Sequence, residues 1–156
     1  MVLRGFKSFG EKTDLIFDSK FNCILGPNGS GKSNVGDALC FVLGKGSAKG
    51  LRAEKSANLI YNGGKSKKPA KEGEVSIYFD NSSNIFPLQT PEIKISRIIR
   101  ENGQSVYKIN EERKTRQEML ELLTVADINP DGYNIVLQGD IIRLVEMSSI
   151  ERRQII

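Results

Sequence analysis

The 156-residue sequence contains no histidine. That absence removes Ser-His and Cys-His nucleophile pairs, and with them the commonest metal ligand. Cysteine is scarce: Cys23 and Cys40 are the only two, both in apolar stretches without metal-ligand spacing. They read as buried, reduced thiols. No apolar run reaches the roughly 18 residues of a membrane span. The N-terminus, MVLRGFKSFG, lacks the long apolar core of a secretory signal, so a cytoplasmic location is expected.

An apolar fraction of 38% and a charged fraction of 27% fit one ordinary globular domain with a core of its own. The net charge is only +4, but it is unevenly spread. From Lys45 to Lys71 eight lysines and arginines face a single acid, Glu54. Such a patch suits a polyanionic partner or, equally, a solvated lysine-rich loop.

Residues 13–18 (TDLIFD) and 21–25 (FNCIL) read as short apolar strands. A helix after Lys32 follows, with Val35, Leu39, Val42 and Leu43 at helical spacing and Gly44 and Gly46 as stop signals. Residues 45–72 read as loop, broken by the apolar stretch 57–61. Alternation of Val75, Ile77 and Phe79 predicts a half-buried strand over 74–80, and Asn102-Gly103 predicts a hairpin within 92–110. Thr115 and Glu118 form a capping box before a helix over 115–123. Beyond it come a turn (129–133), a strand (134–140) and a second capping box, Ser148 with Glu151, opening a helix that runs to Ile156.

Gly26-Pro27-Asn28-Gly29-Ser30-Gly31-Lys32-Ser33 matches G-x-x-x-x-G-K-[ST]. Glycines let successive backbone N–H groups close on phosphate oxygens, and the helix beginning there aims its positive dipole at the same oxygens. Lys32 supplies charge to the β- and γ-phosphates, and the Ser33 hydroxyl suits Mg²⁺. The stretch therefore reads as a site for a nucleoside triphosphate. Hydrolysis also needs an acid at the end of a second apolar strand. Asp18 and Asp80 imitate it, but each is followed by a polar turn residue rather than a glutamate, so the magnesium carboxylate is expected outside this chain.

GPNGSGKSN, together with GFKSFG (5–10), SAKGLRA (47–53), NLIYNG (58–63) and YNIVLQGD (133–140) in this order, resembles the N-terminal half of the head of an SMC (structural maintenance of chromosomes) ATPase, in wording most similar to archaeal members. The resemblance covers nearly the whole chain. It implies an α/β fold: a P-loop NTPase, the lobe of an ABC-type ATPase head, with an antiparallel β subdomain beside the nucleotide-binding core. Residues 1–147 would form that lobe and 148–156 would begin an outgoing coiled coil. The family's first strand usually starts several residues before the counterpart of Leu3. Its signature loop, acidic strand and catalytic glutamate belong to a C-terminal half, in keeping with the carboxylate missing above.

Residue by residue, the resemblance implies ATP and Mg²⁺ as cofactors. Pro27, Asn28, Gly29, Ser30, Gly31, Lys32, Ser33 and Asn34 would line the nucleotide. Gln138 would be the Q-loop glutamine touching Mg²⁺ and the attacking water, and Arg52 the arginine finger. Lys7 and Ser8 match positions near the α-phosphate. Lys55, Arg113, Lys114 and Arg116 are the candidates for sequence-blind DNA contact, whereas Lys65, Lys67 and Lys68 read as a solvated loop. The implied partners are the C-terminal half, a second head, a kleisin subunit and DNA, with no membrane. Competing readings are a DNA-repair ABC ATPase head of the Rad50 or RecN kind and a self-contained small P-loop kinase or GTPase, for which no guanine-reading NKxD motif is present. A further reading is an ATP-dependent clamp that never turns over alone.

Overall fold

Gly103 stands at φ 79°, the left-handed conformation an Asn-Gly turn requires. Its N–H donates to the Arg100 carbonyl at 2.8 Å, while the Arg100 N–H donates to Gln104 at 3.0 Å. The predicted hairpin is therefore present. It belongs to a computed structural model that describes residues 1–64, 67–130 and Ile135. The expected strand over 134–140 with Gln138, the helix from Ser148, the 147/148 boundary and Lys65 lie outside the described residues.

The described strands are β1 (Val2–Arg4), β2 (Thr13–Asp14), β3 (Glu72–Asp80), β4 (Glu92–Arg100), β5 (Ser105–Ile109) and β6 (Glu112–Lys114). They form one sheet in the order β2-β1-β3-β4-β5-β6, every pair antiparallel. Among the described residues two α-helices, α1 (Lys32–Val42) and α2 (Arg116–Val125), accompany it, with 3₁₀ turns at Lys49–Leu51 and Ser56–Leu59. The apolar stretch 57–61 thus becomes a turn that buries Leu59.

Register explains the core. Ile77 faces Ile95, Phe79 faces Ile93 and Leu3 faces Val75, so one face of the sheet is continuously apolar. Ala38, Phe41 and Val42 of α1 and Met119, Leu122 and Leu123 of α2 belong to the same buried cluster. One core-face position departs from the pattern. Arg97 stacks between Phe41 and Tyr107, its guanidinium carbon 4.2 and 5.0 Å from the ring centroids. It donates to the carbonyls of Phe41 (2.9 Å) and Lys45 (2.8 Å) at the end of α1. Burial draws its pKa below the ordinary value, yet an arginine starts so high that the group stays charged. Gly44, at φ 99°, ends α1 in the manner of a left-handed C-cap, and Arg116 Nε caps its carbonyl at 3.0 Å.

The first strands differ from expectation. Only Thr13–Asp14 of 13–18 pairs, and 21–25 forms no strand. A strand exists only where a neighbour takes up its backbone groups, and among the described residues none lies beside 21–25. The side chains follow the backbone: Ile16 is 92% exposed and Phe21 and Leu25 each 86%. Cys40 is buried as expected, whereas Cys23, in this same stretch, is exposed.

Candidate nucleotide site

The phosphate loop delivers the chain into α1 through two left-handed glycines, Gly29 (φ 82°) and Gly31 (φ 94°). Gly31 is the N-cap and provides no side-chain acceptor, and no acid sits in the first turn. The leading N–H groups of α1 are thus left for an external anion. At φ 94° any other side chain at position 31 would be strained, and its β-carbon would lie 2.6 Å from the Ser8 hydroxyl, forcing that hydroxyl to turn away. Lys32 Nζ donates to the Gly26 and Pro27 carbonyls at 2.6 and 2.8 Å, holding its ammonium over the loop it serves.

Three separate segments meet at the start of α1. Asn34 Nδ2 donates to Ser8 Oγ (2.9 Å), and Arg52 Nη2 donates to Asn34 Oδ1 (3.3 Å). Sequence reasoning did not single out the residue at the centre, Asp37, which is 2% exposed. Arg52 grips its carboxylate through Nε at 3.2 Å from each oxygen and through Nη2 at 2.6 Å from Oδ2. Lys7 pairs with the same Oδ2 and donates to the Leu51 carbonyl at 2.6 Å. A signal was available: an acid on a helix face otherwise made of Val35, Ala38, Phe41 and Val42 must be paired if buried. Its partners, 30 and 15 residues away, carry no such mark.

Lys7, Ser8, Asn34 and Arg52 are therefore brought together with the phosphate loop. The remaining candidates lie apart. Asp80 is exposed and caps its own turn, its carboxyl held below the ordinary range by the Ser82 amide. Asp18 is exposed, its backbone bonded to the Asn22 side chain. Lys55 is exposed at the N-cap of the Ser56–Leu59 turn, and Arg113 is exposed on β6. Neither has an ion pair among the described residues. Lys114 pairs with Glu112 at 3.1 Å, and Arg116 caps α1. Lys67 is not simply solvated: it pairs with Glu11 at 2.5 Å on the surface.

Residues 1–148 match the family model described as RecF/RecN/SMC N terminal domain. The chromosome partition protein Smc of Pyrococcus furiosus is 52% identical over 157 residues, which cover all of this chain and 13% of that protein. Two solved structures are each 50% identical to this chain and cover 99% of it. One comes from work on ATP-driven dimerisation and DNA-stimulated activation of SMC ATPases (TM-score 0.93, 93% of that chain). The other is the Smc head domain with an extended coiled coil bound to the C-terminal domain of ScpA, from Pyrococcus furiosus (TM-score 0.94, 39% of that chain). The chain spans about an eighth of the length of the curated relatives it matches. These likenesses support the SMC reading over a kinase, a GTPase or a repair-type head. With its phosphate loop, paired cations on Asp37 and antiparallel sheet, the chain belongs to the RecF/RecN/SMC N-terminal domain family and has the fold of an SMC ATPase head.

Proposed function

We propose that this chain is the ATP-binding half of an SMC head which, joined to its C-terminal half, dimerises on ATP and hydrolyses it to drive chromosome organisation on DNA. The observation that carries this reading is the uncapped N-terminus of α1, wrapped by a glycine loop, with Lys32 held over that loop and Arg52 bonded to Asn34 of the first turn. That donor set fits a triphosphate. Backbone N–H groups from Gly29 to Ser33 bind phosphate oxygens, Lys32 neutralises the β and γ charges, and Arg52 stabilises charge as it develops. Lys7, Ser8, Pro27, Asn28, Ser30 and Asn34 line the rest.

Ser33, exposed on the first turn, offers one oxygen suited to Mg²⁺, which when bound would neutralise phosphate charge. Among the described residues no group of three or more acids or cysteines could hold a metal alone. Gln138, as the Q-loop residue, and an acid from the C-terminal half complete that reading.

The C-terminal half is also the occupant we assign to the exposed apolar segment Ile16 to Leu25, since most of the relatives' length lies outside this chain. Residues 148–156 begin the coiled coil, a kleisin and a second head complete the assembly, and the assembly works on the nucleoid. Lys55 and Arg113, exposed and without an ion pair among the described residues, lead the DNA contact, with Lys114 and Arg116 beside them.

The test is ATP turnover by the chain alone and after joining to the C-terminal half. Only the joined head should turn over, and robust hydrolysis by the 156-residue chain alone would overturn the proposal. Lys32→Ala should abolish ATP binding while the fold persists. Unchanged affinity would remove the phosphate-loop assignment.

A further inference from the structure

The carboxylate of Asp37 is the most buried charge beside the phosphate loop, and it serves two cations at once. We infer that Asp37 is the positioning residue of the nucleotide site: it clamps the Lys7 ammonium and one edge of the Arg52 guanidinium, and so sets where Arg52 stands relative to the phosphates. The inference rests on the reading of Arg52 as the group that meets developing phosphate charge.

Three observations favour positioning over simple stabilisation. First, a buried ion pair is often no better for stability than well-packed apolar side chains, and α1 is otherwise apolar on this face. Second, both cations are held in backbone that side chains rarely adopt, Lys7 at φ 46° and Arg52 at φ 53°. Such conformations cost on the order of 1–3 kcal/mol each and gather where orientation matters. Third, the grip is one-sided. Arg52 uses Nε and Nη2 on Asp37 and Asn34, while Nη1 makes no hydrogen bond among the described residues. A planar guanidinium can thus stay fixed along one edge and present the other to a phosphate. Exposure agrees: the Arg52 side chain is 42% exposed, its anchoring carboxylate 3%. Asn34, one helical turn before Asp37, completes the mount by tying the guanidinium to Ser8 of the loop that also carries Lys7.

The test is a double-mutant cycle on kcat at saturating ATP in the complete SMC protein, using Asp37→Asn and Arg52→Ala with a thermal melt of each variant. Misplacing a reacting group by a fraction of an ångström to 1 Å costs up to about a hundredfold. Asp37→Asn should therefore lower kcat by about tenfold in the Arg52 background and by less than about twofold in the Arg52→Ala background. Equal losses in both backgrounds, or no loss in the first, would overturn the inference. If Arg52→Ala alone leaves kcat unchanged, the arginine reading itself fails and the inference falls with it. That result differs from an additive cycle, which removes only the inference. Should Asp37→Asn not fold because the Lys7 ammonium is left without its counter-charge, the same cycle run on Asp37→Glu, which keeps the charge and moves it by one methylene, decides by the same criterion.

Discussion

Two regions of the molecule treat the same kind of residue in opposite ways. In the sheet, isoleucines alternate along β4 and vanish into the core, with Ile93, Ile95 and Ile99 fully buried. Between Ile16 and Leu25 an equally apolar sequence lies in the open, without strand structure. Composition does not separate the two. What differs is the availability of partners. β3 and β4 pair over nine residue positions, α1 packs on both and α2 packs on β5, all within the same 130 residues. The arm leading into the phosphate loop has strand-forming side chains and, among the described residues, no strand to pair with. Apolar pattern therefore says which face wants burial, not what covers it.

The sharpest way to test the comparison is to remove the polar anchor of the buried region. Arg97→Ala deletes two stacked ring contacts and the caps on the Phe41 and Lys45 carbonyls. A loss of about 3–4 kcal/mol is expected, read as a lower denaturation midpoint. If the variant is as stable as the parent, the sheet and α1 do not depend on one another as described.

The arm should behave in reverse. Phe21→Ser or Leu25→Ser removes a side chain that is already in solvent, so the isolated chain should change by less than about 0.5 kcal/mol. In a head joined to its C-terminal half, the same substitution should weaken the union by about 1.5–3 kcal/mol. Association measured by calorimetry distinguishes the cases, and an equal effect in both would show that the arm is not an interface.

This contrast also explains what the sequence discloses. The hairpin, α1, α2 and its capping box depend on contacts within a few residues of one another, or on a face that this chain covers. They are legible in Asn102-Gly103, in Val35-Val42 spacing and in Thr115 with Glu118. The phosphate loop is legible because its chemistry fixes residue types at fixed spacing. Strand 21–25 is misread because none of the described residues pairs with it, and buried Cys23 is misread with it. Asp37 is missed because its meaning arises from Lys7 and Arg52, which only the fold brings to it.

A smaller effect checks the local end of the scale. Thr115 Oγ1 accepts the Glu118 N–H at 3.2 Å, and Glu118 Oε2 accepts the Thr115 N–H at 2.7 Å. Thr115→Ala should cost about 1 kcal/mol and raise hydrogen exchange in the first turn of α2 with little change in β3 or β4.

The smallest predicted effect concerns acid pH, where the cause of each shift can be told apart. Glu118 is held below its ordinary 4.5 mainly by the Thr115 amide, Glu111 mainly by its hydrogen bond and charge pairing with Lys94. A lowered carboxyl means the folded state gives up its proton more readily than the unfolded chain. Each group's stabilisation is therefore complete above about 4.5 and fades as pH falls through the lower folded value. The two should part company in salt. Glu111 pairs with a lysine at the surface and its shift should shrink towards the ordinary value in about 1 M salt, where screening reaches only about 3 Å. Glu118 is held by a backbone dipole within its own helix turn, and its shift should largely survive. Carboxyl titration by NMR at low and high salt reads both at once. Equal loss at the two sites would mean that the helix cap, too, rests on charge rather than on a hydrogen bond.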